Sequence, residues 1–280
     1  MIAARWVLVA AAAACKRGDA PPPAPAPTPA VMLVDAGAPL APLAITAGNP
    51  VLVATTGEPW ADGFPLGEPL FALYDNGAVL CVDKTGRHAA MLAPAERDEL
   101  IGALAVPVLT HAGGRYQARE VTDQRWSHLY IWKPGCRTQI SVWGEMLTAD
   151  NDFTDDAKTS KIPAVILFAW KRIQAYPCGK AAPWRFPSVE AIVSPNTPPS
   201  TATWPHAWPT VAHERPSGDE AIENVIDLPA EAYDQLRSMA RESVQIGAKA
   251  YFVHAHVRWP QESLWSGRPP HACGPEPRHD

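Results

Sequence analysis

Between Trp126 and Trp143 the chain alternates aromatic rings with hydrogen-bonding side chains, the chemistry of a surface that recognises a sugar or a peptide. Trp126, His128, Tyr130 and Trp132 recur at every second position. Beyond the turn Lys133-Pro134-Gly135-Cys136, the series Arg137, Gln139, Ser141 and Trp143 repeats the pattern. Strand side chains point to alternate faces, so a hairpin that pairs Trp132 with Arg137 gathers all eight on one face. Leu129, Ile131, Thr138, Ile140 and Val142 are left on the opposite face, which reads as the core side. Flat rings with polar tips offer large contact area at low entropic cost. Trp126, His128, Tyr130, Trp132 and Trp143 are therefore the binding candidates. The competing arrangement has a helix over residues 162–176 covering this face.

His254 and His256 lie two apart on an expected strand and share a face, a spacing that permits two bonds to a metal. Glu262 is near in sequence, but no second H-x-H and no H-E-x-x-H accompanies it. Two partly exposed histidines without metal are expected, and no metal or cofactor is assigned. Asp150, Asp152, Asp155 and Asp156 form an acidic loop. Asp155, preceded by Thr154, stands where an EF-hand requires Gly and Lys161 where it requires a bidentate Glu, so a solvated turn is expected. In Trp204-Pro205-His206-Ala207-Trp208-Pro209 the prolines oppose regular structure, and the two Trp are expected to pin a loop onto the core. No nucleophile elbow, phosphate loop or dinucleotide fingerprint occurs, and no catalytic residue is assigned.

These residues need elements to hold them. Apolar runs at residues 70–74 and 78–82 flank Asp75-Asn76-Gly77, a signal for a type I′ hairpin with Tyr74 opposite Val79 and Leu73 opposite Leu80. Phe71, Leu73, Leu80 and Val82 then share a core face. Ala93-Pro94-Ala95-Glu96 opens a helix to about Leu104, with Pro where its missing N–H is harmless. The order repeats with the aromatic hairpin and an amphipathic helix over residues 162–176. A third set follows: strands at 189–193 and 225–228, a helix over 229–241, and a strand at 250–257. Strands and helices without regular βαβ spacing predict an α+β domain, mainly antiparallel sheet built from hairpins with about three helices packed on it.

The chain has 280 residues, 31 of them Pro, about twice the usual share, and so should be rich in loops. Net charge is −5 with no basic cluster beyond Lys16-Arg17, which excludes the electrostatic footprint of a nucleic-acid binder. Cys81, Cys136, Cys178 and Cys273 are even in number and lack the short paired spacing of closed zinc sites. Two disulfides are expected, with three pairings open.

Residues 1–14 carry Arg5 and an apolar run ending Ala12-Ala13-Ala14 before Cys15. The run is shorter than the roughly 20 residues that span a bilayer. It resembles the lipobox of bacterial lipoproteins, with Ala12 where that pattern usually has Leu. The resemblance implies a signal peptide (1–14), lipidation of Cys15, and anchoring to a membrane on the exported side of the cell envelope. Residues 15–50, dominated by Pro and Ala, are expected to be an extended tether. Residues 51–260 are expected to form one globular domain and 261–280 a Pro-rich tail. The domain pattern resembles exported bacterial domains of unknown function. The expectation is a non-catalytic binding domain for an envelope glycan or protein partner; the alternative is an envelope hydrolase, metal-assisted through His254 and His256.

Overall fold

Eight strands form the first of two sheets: β1 (Pro50–Gly57), β2 (Pro69–Tyr74), β3 (Ala78–Asp83), β4 (Gly86–Met91), β5 (Gly114–Gln117), β6 (Trp126–Lys133), β7 (Cys136–Trp143) and β8 (Ala182–Pro183). Their order is β5-β7-β6-β1-β2-β3-β4-β8, antiparallel except where β5 runs parallel to β7. The second sheet has six strands: β9 (Ser188–Pro195), β10 (Ala202–Thr203), β11 (His213–Ser217), β12 (Ala221–Pro229), β13 (Ser243–Ile246) and β14 (Lys249–Val257). Its order is β10-β13-β14-β9-β12-β11, with β10 parallel to β13. This computed structural model describes residues 41–57, 69–117, 126–143, 162–195, 202–217, 221–239, 243–266 and 273, all within the unit Leu40–Asp280. Cys15, the residues before it, most of the expected tether and the Asp150–Asp156 loop lie outside the described residues.

The class is α+β, but the strands divide into two mixed, mostly antiparallel sheets where one had been expected. The reason is visible in β1, whose Val53 faces one core while Leu52 and Ala54 face another. A strand buried on both faces reads as a continuous apolar run, without the alternation that marks a half-exposed sheet. One core lies between the sheets. It joins Val53, Ala72, Leu80 and Tyr130 to Val189, Ala191, Ile226 and Val253. The other lies on the far side of the first sheet, under helices α1 (Pro94–Ala103), α2 (Val106–Leu109) and α3 (Ala164–Gln174). In α3, Ile166, Ala169, Trp170 and Ile173 are buried, the stripe that helical periodicity dictates. Helix α4 (Tyr233–Met239) packs against β14, and a last turn α5 (Ser263–Ser266) closes the described chain before Cys273.

The first hairpin forms with a register one residue away from the expected one. Leu73 pairs with Val79 and Phe71 with Cys81. Only Gly77 of the Asn76-Gly77 pair takes positive φ, at +87°, and its N–H bonds Tyr74 O at 3.1 Å. That is a three-residue loop ending in a glycine bulge, which a type I′ turn is not. A slip of one residue sends each side chain to the other face. Val79 and Cys81 therefore join Phe71 and Leu73 under the helices, while Leu80 turns toward the second sheet. A Cβ on Gly77 would meet Leu92 O at 2.5 Å, so the bulge has room for glycine alone.

Packing extends past both expected domain boundaries. Leu43, Ile45 and Ala47 lie against the inter-sheet core, upstream of residue 51. Beyond residue 260, Glu262 and Trp265 are buried. Two disulfides, Cys81–Cys178 and Cys136–Cys273, select one of the three open pairings. The first ties β3 to the 3-10 turn Cys178–Lys180 after α3; the second ties the tip of the aromatic hairpin to the C-terminal segment.

Candidate functional site

The hairpin β6–β7 pairs as its alternation dictates, Trp132 with Arg137 and Trp126 with Trp143. On the face turned toward the second sheet its rings form a continuous run. Trp143 and Trp126 meet edge to face at 4.9 Å between centroids. Trp126 stacks on His128 at 5.9 Å, and His128 on Tyr130 at 5.9 Å. Tyr130 then contacts Trp132 at 6.3 Å, and Trp132 meets Trp265 at 6.2 Å.

Burial divides this run. Tyr130 is only 1% exposed and belongs to the inter-sheet core, so it leaves the set of binding candidates. Trp132 packs against the same core. Trp126, His128 and Trp143 are half-buried, at the end of the hairpin away from its turn. The helix expected to cover this face lies on the other side: α3 packs with Leu129, Ile131, Ile140 and Val142. The cover at the Trp132 end is instead the C-terminal segment, which brings Trp265 and accepts a 2.7 Å hydrogen bond from buried Arg137 at Leu264 O. Arg137 also lies over the Tyr130 ring, 5.0 Å from its centroid.

A polar row crosses this half-buried end. Gln139 donates to Ser141 Oγ at 3.2 Å, and Ser141 Oγ lies 2.9 Å from His128 Nδ1. Burial pushes the His128 imidazole down to about 4, and the Arg115 guanidinium adds to that shift. The ring is therefore neutral near pH 7. Sequence reading missed Arg115 and Gln117, which β5 places beside Ser141 and Trp143. Their signal is faint, since a four-residue parallel edge strand leaves only the alternation in Gly114-Arg115-Tyr116-Gln117.

No known protein family, characterised protein or solved structure matches this chain.

A second cluster lies at the end of β14. His256 is buried, contrary to the expected pair of partly exposed histidines, while His254 is exposed. His256 Nε2 lies 2.7 Å from Glu262 Oε1 and 4.0 Å from Glu190 Oε2. Glu262 Oε2 accepts the Trp259 N–H at 2.9 Å, and Arg258 approaches Glu190 at 3.8 Å. Glu190 reaches the site because β9 pairs it with His256 across the sheet, a neighbour that no local spacing reveals. Among the described residues Asp83, His88 and Cys178 also converge, but Cys178 is bonded to Cys81 and brings no thiolate to a metal. The Trp204 and Trp208 rings meet at 5.0 Å against the inter-sheet core, with Trp204 Nε1 donating to Pro209 O, as expected of loop anchors.

Proposed function

We propose that this is an exported, lipid-anchored protein whose folded domain binds a glycan of the cell envelope through Trp126, His128 and Trp143. One observation carries the reading. The ring run begins in the core at Trp265, Trp132 and Tyr130 and ends in half-buried rings flanked by the exposed amide of Gln139 and the exposed side chains of Arg115 and Gln117. Rings fixed from beneath lose little entropy when a sugar stacks on them, and neighbouring amides can bond its hydroxyls. Two disulfides fit an oxidising compartment. No helix among the described residues is long and apolar enough to cross a membrane, and anchoring is assigned to a lipid on Cys15.

Cosedimentation of the folded domain with isolated envelope polysaccharide tests the binding. Retention by the wild type and its loss in Trp126→Ala, with the melting temperature lowered far less than by Tyr130→Ala, supports the reading, whereas retention by the variant removes these rings from it. Mass spectrometry of the mature N-terminus tests the anchor: a diacylglyceryl mass on Cys15 supports it, and an unmodified thiol in membrane-derived protein ends it.

The second reading, an envelope hydrolase, draws on His256 set between two buried carboxylates, a grouping suited to proton transfer. Hydrolysis of envelope polymers by the wild type, abolished in Glu262→Gln, would favour it over pure binding.

A further inference from the structure

We infer that the glycan is acidic, with a carboxylate received by Arg115 while a sugar ring stacks on Trp143 or Trp126. This rests on the glycan-binding reading and narrows it to a class of ligand.

The pairing places the groups. Arg115 stands opposite Ser141, and Ser141 opposite His128, so the three form one row across β5, β7 and β6. Gln117, Trp143 and Trp126 form the next row on the same face. Diagonal neighbours in such rows lie roughly 7 Å apart at their Cβ atoms. A pyranose on Trp143 therefore holds its exocyclic carboxylate within reach of the long Arg115 side chain.

Charge decides what kind of sugar fits. The strands read Gly-Arg-Tyr-Gln, Trp-Ser-His-Leu-Tyr-Ile-Trp-Lys and Cys-Arg-Thr-Gln-Ile-Ser-Val-Trp, with no Asp or Glu on any of them. Arg137 on the same face is buried and engaged with Leu264 O and the Tyr130 ring. Arg115 is exposed and has no carboxylate partner among the described residues. A chain of net charge −5 thus presents a cationic aromatic ledge here. Guanidinium pairs with carboxylate through charge-assisted, two-pronged hydrogen bonds, and among the described residues no acid completes such a pair with Arg115. The neutral His128 beside it adds no competing charge.

The test uses the folded domain in titration calorimetry with three probes: a uronic-acid oligosaccharide, the same oligosaccharide with its carboxyls reduced to alcohols, and a phosphate-bearing polyol chain. The expected result is tightest binding of the uronic form, weakening with added salt. Arg115→Gln should lower that affinity about ten-fold or more and leave the neutral form unchanged. The His128 ring resonances should titrate at higher pH with the uronic ligand bound, because its carboxylate offsets the guanidinium. Equal affinity for the uronic and neutral forms would overturn the acidic-ligand inference and leave glycan binding intact. Preference for the phosphate chain would overturn the carboxylate assignment. Binding of none of the three would overturn the inference together with the reading beneath it.

Discussion

Glu262 Oε1 stands 2.7 Å from His256 Nε2, and this buried hydrogen bond fastens the segment after β14 to the second sheet. The same segment is held from the first sheet, where Tyr74 donates its hydroxyl to Pro260 O at 3.0 Å. Burial raises the Tyr74 phenol far above its ordinary value, and the Glu262 carboxylate raises it further, so Tyr74 is a permanent donor.

Removing Glu262 takes away the 2.7 Å partner of His256, leaves Glu190 at 4.0 Å, and frees the Trp259 N–H. Glu262→Ala is expected to lower stability by about 1 to 3 kcal/mol, the cost of leaving buried hydrogen-bonding groups unmet. Urea denaturation of the variant and of His256→Ala, combined in a double-mutant cycle, measures the coupling. Additive losses would mean that the two side chains act independently.

His128 gives stability a dependence on pH. Its folded value of about 4 lies below the ordinary one near 6.5, so the unfolded chain takes up the proton first. Stability is full above about pH 6.5 and declines as pH falls toward 4, by an amount on the order of 3 kcal/mol. Denaturation midpoints at pH 7, 5.5 and 4 should fall in that order, and His128→Gln should remove most of the slope between pH 6.5 and 4. An imidazole that titrates near 6.5 by NMR would refute the assignment.

Trp126 and Tyr130 share a face and should answer mutation differently. Tyr130→Ala, deep in the inter-sheet core, is expected to cost about 3 to 5 kcal/mol. Trp126→Ala should cost well under half of that while abolishing retention on envelope polysaccharide. Comparable destabilisation by the two would place Trp126 in the core and end its role as a contact.

The two disulfides span 97 and 137 residues. On the chain-entropy model each restrains the unfolded state by about 4 to 5 kcal/mol. Thiol labelling of denatured, unreduced protein should find none of Cys81, Cys136, Cys178 and Cys273 reactive, and reduction should lower the guanidinium midpoint sharply. Labelling at any of the four would remove the corresponding bridge.

The pairing of the aromatic hairpin was legible because Lys133-Pro134-Gly135-Cys136 announces a tight turn and a period of two then places every ring, whereas the face that α3 covers was not. The first hairpin was half legible, since Asn76-Gly77 announces a turn but fits both the type I′ loop and the bulged one that forms. β1 escaped because Pro50–Gly57 lies in the middle of a sheet with a core on each side, which erases alternation. That second core also explains why the ring face is partly covered. A face can look amphipathic in sequence and still meet another sheet. Arg115 and Glu190 join their sites through strand pairings between distant segments, which no spacing encodes.

The entry of the chain into the domain has a mechanical meaning. Leu43 bridges to Trp184 beside β8, donating to Pro183 O at 2.8 Å and accepting from Arg185 N at 3.0 Å, before the chain reaches β1 in the middle of the sheet. A pull applied at residue 41 would meet these two hydrogen bonds at the sheet margin first. Thr46 O accepts from Asn76 Nδ2 at 2.8 Å and Asn49 O from Asp75 N at 2.9 Å before β1, which is gripped along both sides by β2 and β6. On the proposed lipid anchor, these contacts near the entry would take up a pull at the sheet margin, remote in sheet order from β5, β6 and β7.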